Sequence, residues 1–269
     1  MNNLIVRAIA GLIFSALVIC SAWLGPVALG ILFLCFAMAG LYEYYRMGMA
    51  GRHSNAHIWT GLIAGLFLYL LLTLYFNDTI ELKWLWLFPI IVVLILSAEL
   101  IKPDNRAAIN LGIVAFGWLY VVIPFALVNL LAFSSGVFDY ELPIGYFLIL
   151  WVNDSGAYLF GRMLGRTKLY PKVSPNKTWE GLIGGILCAF LIGYLLSLIF
   201  MSLHWQQWIF ISLIISLFAN AGDLFESHLK RTAGVKDSGN VIPGHGGVLD
   251  RFDGLFFSLP VVVAYIHLV

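Results

Sequence analysis

Three stretches place carboxylates where an apolar chain can least tolerate them. "FLILWVNDSGAYLFGR" sets Asn153 and Asp154 about halfway along an apolar run, "LFANAGDLFESHLKR" carries Asp223 and Glu226, and "GGVLDRFDG" carries Asp250 and Asp253. An ionised side chain near the middle of a bilayer costs about 2.5–3.5 kcal/mol on insertion scales, so such residues usually face a cavity or a partner. The i, i+3 spacing of the last two pairs puts each pair on one helical face. Each acid also has a plain structural use: Asp250 and Asp253 can cap a helix start, and Glu226 can pair with Lys230 at i+4. Five acids expected on one leaflet, with no Cys or His cluster beside them, favour instead a hard, oxygen-seeking cation. Mg2+ fits best, because it is held by one or two carboxylates plus substrate phosphates.

Basic loops supply the complementary half. In "GRTKLYPKVSPNKTWEG" stand Lys168, Lys172 and Lys177, and Ser174 as N-cap with Pro175 at the first helical position predicts a helix start there. The free N–H groups and positive dipole end of such a start suit phosphate. In "KRTAGVKDSGNVIPGHGG", Lys230, Arg231 and Lys236 flank a loop whose glycines, Gly246 and Gly247 among them, let backbone N–H groups approach a ligand closely. His245 could hold a phosphate oxygen or bond to backbone. Arg162, Arg166 and Lys168 need no more than a topological reason. Acids for a cation, bases and amides for phosphates, and a bilayer at the edge together predict phosphoryl or nucleotidyl transfer on a lipid.

The elements that must position these groups follow from composition. Of 269 residues, 61% are hydrophobic and 11% charged, against about 25% charged in a soluble domain, and the mean hydropathy is +0.94. So little charge cannot cover a water-facing surface. The net charge of +1 argues against a nucleic-acid partner. Cys20, Cys35 and Cys188 sit inside apolar runs with no CxxC or Cys/His pairing, which makes them structural thiols. Apolar runs near the ~20 residues needed to span a bilayer occur at Leu4–Leu24, Pro26–Tyr45, Ile58–Phe76, Trp84–Ile101, Ala107–Phe133, Pro143–Leu164, Gly181–Leu203, Trp208–Leu229 and Leu249–Val269. The expectation is an all-α integral membrane protein with about nine transmembrane helices. The first run reads as a span rather than a signal peptide, since no clear small-residue cleavage site follows and spans continue directly behind.

Nine spans divide the loops into two sets. One set holds 14 of the 15 basic residues and the other only Lys83, which by the positive-inside rule puts the N-terminus in the cytoplasm and the C-terminus outside. The expected organisation is a scaffold of N-terminal helices over residues 1–142, with possible dimer and lipid contacts, and a catalytic region over residues 143–269. The latter carries two long cytoplasmic loops, roughly Gly165–Glu180 and Lys230–Gly247.

The stretch "SHLKRTAGVKDSGNVIPGHGGVLDRFD", Ser227 to Asp253, resembles the signature of phosphatidate cytidylyltransferases, also called CDP-diacylglycerol synthases. "NDSGAY" and "SPNKTWEG" are similar to two further blocks of that family, so the resemblance is strong from roughly Gly145 to Asp253. It implies transfer of the cytidylyl group of CTP to phosphatidate, releasing pyrophosphate, at a cytoplasm-facing site of a multi-pass protein of the cell (inner) membrane. It also implies Mg2+, a second, monovalent cation such as K+ in some members, and a homodimer. The family's metal ligands fall on Asp223 and Asp250. On the residue chemistry, Lys177, Lys230, Arg231 and Lys236 would bind phosphates, Lys177 and Arg231 closest to the reaction. Ser174, His245, Gly246 and Gly247 complete the expected substrate contacts, and Asp154, Glu226 and Asp253 would support or share metal ligation. Three rivals compete with this reading. An ion-coupled transporter would use Asp154 and Asp223, yet no inverted repeat is visible and the acids are not at the midplane. A CDP-alcohol phosphotransferase would carry a tighter acidic pattern, and a non-catalytic scaffold would need none.

Overall fold

A computed structural model describes residues 3–49, 55–101, 105–171, 173–239 and 246–269. Among the described residues each of the nine apolar runs carries a helix, the seventh ending at Ser197 instead of Leu203: α1 Asn3–Leu24, α2 Pro26–Gly48, α3 Asn55–Phe76, α4 Leu87–Ile101, α5 Ala107–Ala132, α6 Glu141–Leu164, α7 Trp179–Ser197, α8 Trp205–Thr232 and α9 Leu249–Leu268. Two short strands, β1 Lys168–Tyr170 and β2 Ser174–Thr178, form an antiparallel pair between α6 and α7. Among the described residues α2, α3, α5, α7, α8 and α9 are long and apolar enough to cross a membrane. The apolar stretches found among the described residues for α1, Ile9–Leu24, and for α4 with the turn before it, Leu82–Ala98, are shorter, and α6 is diluted by its own polar residues, Asn153 and Asp154 among them. This is an all-α membrane protein.

The chain forms two compact units. The first combines Met1–Phe133 with Asp237–Asp250. Its core is built around Tyr45, which is fully buried and donates its hydroxyl to Val114 O at 2.9 Å. A Cβ on Gly61 or Gly117 would press into the Tyr45 ring, at 2.7 and 2.6 Å. Trp118 Nε1 donates to Gly61 O at 2.9 Å. Lipid tails are as apolar as leucine, so helices in a bilayer associate through such close small-residue contacts and interhelical hydrogen bonds. α5 widens into a π turn over Trp118–Val122 just before Pro124, whose ring and missing N–H cannot join the regular ladder.

The second unit combines Ser134–Lys236 with Arg251–Val269. Glycines draw α6 and α7 together: a Cβ on Gly156 would stand 2.8 Å from Cys188 Cβ, and one on Gly181 2.8 Å from Ala157 O. Tyr146 on α6 and Ser258 on α9 share a buried hydrogen bond of 2.6 Å. Gly222 on α8 lies against the backbone carbonyl of Asp253, and a Cβ there would also meet Phe257 at 3.3 Å. Only glycine lets α8 and α9 close up at the level of Asp223 and Asp253.

Candidate active site

In the second unit α6, α8 and α9 each contribute acids to one polar group. Asp223 forms an ion pair with Lys177, with Nζ 2.5 Å from Oδ2 and side chains 36% and 19% exposed. The Lys177 ammonium also donates to the backbone and side-chain oxygens of Asn220, one turn before Asp223, both at 3.4 Å. Ser227 Oγ donates to the other Asp223 oxygen at 3.3 Å. Asp253 lies within electrostatic reach of Asp223, Glu226 and Asp154, and Asp154 feels Lys177 and Arg251 as well. Asp154 accepts a hydrogen bond from Asn153 Nδ2 at 3.2 Å. Glu226 takes the structural partner foreseen for it: Lys230 Nζ sits 2.8 Å from Oε2, and the two side chains are 12% and 1% exposed. The donor set is oxygen-only, as a hard cation requires. Among the described residues no three acids, histidines or cysteines are gathered tightly enough to cage a metal. A divalent ion would therefore complete its shell with water and substrate oxygens, which is how Mg2+ is usually bound.

Lys177 is not delivered by a helix start at Ser174 and Pro175. Ser174–Thr178 is strand β2, and the helix begins only at Trp179. Its N-cap is Thr178, in extended conformation, whose Oγ1 accepts from Gly181 N at 3.1 Å. The Glu180 carboxylate decides between the two possible starts. It accepts the backbone N–H groups of Arg166 and Thr167, each at 3.1 Å. Trp179 N adds a bond of 3.0 Å to Thr167 O. With both ends of the hairpin tied to the first turn of α7, the chain before Thr178 stays extended, and Lys177 projects from a strand end.

Asp250 belongs to the first unit, and its Oδ2 is richly supplied with donors. It accepts from Ser238 N at 3.0 Å, Ser238 Oγ at 2.9 Å and Gly247 N at 2.8 Å. Gly246 has φ +83°, which only glycine adopts freely. Arg231 ends α8, donating from Nη1 to Val235 O at 3.3 Å; Lys236 is exposed and Ser174 half-buried. His245 lies outside the described residues, as does Lys172. Two residues of these networks escaped the sequence reading: Asn220, which receives Lys177, and Glu43, whose carboxylate reaches Ser238. A lone acid in the apolar run "MAGLYEYYRM" was the available signal for Glu43.

A stretch of 118 residues, 43% of the chain, is 51% identical to a Staphylococcus epidermidis protein named phosphatidate cytidylyltransferase. Proteins of the same name from Staphylococcus aureus and Staphylococcus saprophyticus are 53% and 49% identical over the same length. The match spans 45% of each relative, so less than half of their length is covered. The sequence pattern of the cytidylyltransferase family, by contrast, matches residues 5–269. A family pattern that covers residues 5–269, nearly the whole chain, decides the assignment: the chain belongs to the cytidylyltransferase family.

Proposed function

We propose that the protein transfers the cytidylyl group of CTP to phosphatidate, giving CDP-diacylglycerol and pyrophosphate, in a multi-pass protein whose active site faces the cytoplasm. The observation that carries the proposal is Lys177 seated at Asp223 beside Asp154 and Asp253, cation and carboxylates together among apolar helices. The relatives named phosphatidate cytidylyltransferase support the choice of substrates. The lipid phosphate attacks the α-phosphorus of CTP; the new P–O bond forms as the α–β anhydride bond breaks and pyrophosphate leaves. A phosphate monoester has its second pKa at about 6, so the nucleophile is mostly dianionic at neutral pH and needs no general base. The barrier is electrostatic, because two polyanions must meet. Lys177, Arg231 and Lys236 hold phosphate oxygens, with Lys230 beside them, and Ser174 and the Gly246–Gly247 turn complete the contacts. Asp223 and Asp250 are the proposed ligands of Mg2+, with Asp154, Glu226 and Asp253 in support, and the ion when bound supplies neutralisation of phosphate charge. The family resemblance extends the proposal to a monovalent second cation and a homodimer in the cell membrane.

Purified protein in proteoliposomes, given CTP and phosphatidate, should release pyrophosphate and CDP-lipid in equal amounts. Diacylglycerol in place of phosphatidate should give no product, because it lacks the attacking phosphate. CDP-lipid formed from diacylglycerol at a comparable rate would refute the lipid phosphate as nucleophile.

Topology follows from the proposal. With nine spans and a cytoplasmic N-terminus, single cysteines placed at the exposed positions Ser135 and Thr232, in a background lacking Cys20, Cys35 and Cys188, should react with an impermeant maleimide from opposite sides. Ser135 should label from outside. Labelling of both from one side would end the nine-span arrangement.

A further inference from the structure

The first unit holds a carboxylate that the proposed reaction does not use. Glu43 lies in α2, is 4% exposed and accepts at Oε2 from Leu249 N at 3.1 Å, with Ser238 Oγ 3.3 Å from the same oxygen. Ser238 in turn gives its N–H and lies with its hydroxyl at 2.9 Å from Asp250 Oδ2. A serine hydroxyl has a single proton, so Ser238 is held between two carboxylates, and what fixes Glu43 fixes the donors around Asp250. The neighbouring glycines tell the same story. A Cβ on Gly239 would overlap Glu43 Oε1 and stand 2.7 and 3.0 Å from its Cδ and Cγ. A Cβ on Gly247 would overlap Ser238 Oγ and meet Glu43 Cδ at 2.8 Å. Neither glycine has a positive φ, so no turn demands them. The Glu43 side chain does. A buried carboxylate is costly unless its hydrogen bonds are made; here Oε2 has partners while Oε1 is buried with none among the described residues, and simple packing against these glycines would be served by an apolar residue.

We infer that Glu43 is a positioning residue: it fixes Ser238 and the amide of Leu249, and through them sets the carboxylate of Asp250. The inference rests on the reading of Asp250 as a residue needed for turnover. Groups that orient a metal ligand typically cost 10–100-fold in metal affinity or activity when removed. Folded Glu43→Ala should therefore lose about tenfold or more in kcat with KM for CTP little changed. Mn2+ binding followed by electron paramagnetic resonance should weaken in parallel. Glu43→Gln keeps an acceptor for Leu249 N–H and should recover part of both. Gly239→Ala should reproduce the defect by displacing Glu43, and should add nothing in the Glu43→Ala background, where the clash is gone.

A purely structural Glu43 would lower the melting temperature and leave kcat and Mn2+ affinity at wild-type values, which overturns the inference. If Glu43→Ala does not fold, Glu43→Gln and Gly239→Ala decide the matter, and full activity in both overturns it equally. An Asp250→Asn protein that retains turnover removes the reading of Asp250 itself and the inference with it. Loss in Asp250→Asn beside full activity in Glu43→Ala removes the inference alone.

Discussion

Asp250→Asn should leave a folded protein with almost no turnover, and Asp223→Asn should do the same. Each acid has a structural role in plain view. Asp250 accepts from Gly247 N and Ser238 N at the start of α9, and Asp223 accepts from Ser227 and pairs with Lys177 on α8. Asparagine has nearly the same shape, still accepts hydrogen bonds and caps a helix about as well as aspartate. What it removes is the negative charge on which a hard divalent cation depends. A capping role for Asp250 therefore predicts nearly full activity after substitution. A ligand role predicts a loss on the order of 10²–10³-fold, as befits several kcal/mol of charge stabilisation at 1.4 kcal/mol per tenfold. EDTA should abolish wild-type turnover and added Mg2+ restore it. Steady-state rates on monodisperse protein of unchanged melting temperature decide between the two, and EDTA-resistant turnover would leave both acids structural.

The helices were legible because each is a long apolar run, and the composition alone required a membrane solvent. The hairpin was not. Ser174-Pro175 and Thr178 are both acceptable helix starts, and the choice between them is made by Glu180 reaching back to the amides of Arg166 and Thr167, a tertiary contact with no periodicity to announce it. Asp154, Asp223 and Asp253 were visible as charges out of place, and the structure does gather them in one unit. Glu43 obeyed the same rule but stood one turn from Arg46, where an acid looks like an ordinary partner of the basic helix end. The partners of the lysines were legible only in part. Lys230 sits i+4 from Glu226, which sequence can suggest, whereas Lys177 and Asp223 are brought together from distant positions by the packing of α7 and α8.

That last pair sets up the second large effect. Lys177→Ala should cut kcat by about 10²-fold, by analogy with the removal of one preorganised donor to a developing oxyanion, and it should at the same time tighten Mn2+ binding. The ammonium of Lys177 pairs with the carboxylate of Asp223 and donates to the oxygens of Asn220. A divalent ion that uses Asp223 must compete with it, and a substrate phosphate offers the lysine a better partner, since a phosphate carries more charge than one carboxylate. Removing the lysine takes away the competitor and the phosphate contact together, so affinity for the metal and rate should move in opposite directions. Lys177→Arg keeps the charge but spreads it over a planar fork, which is not an equivalent point charge, and should restore the competition better than the rate. Arg166→Ala is the control, because among the described residues the bond Arg166 makes is from its backbone N–H, to Glu180, and its turnover should be nearly unchanged. Paired measurements of Mn2+ affinity and single-turnover rate test the scheme. A Lys177→Ala protein that loses rate and metal affinity together would mean that Lys177 orders Asp223 for the ion instead of competing with it.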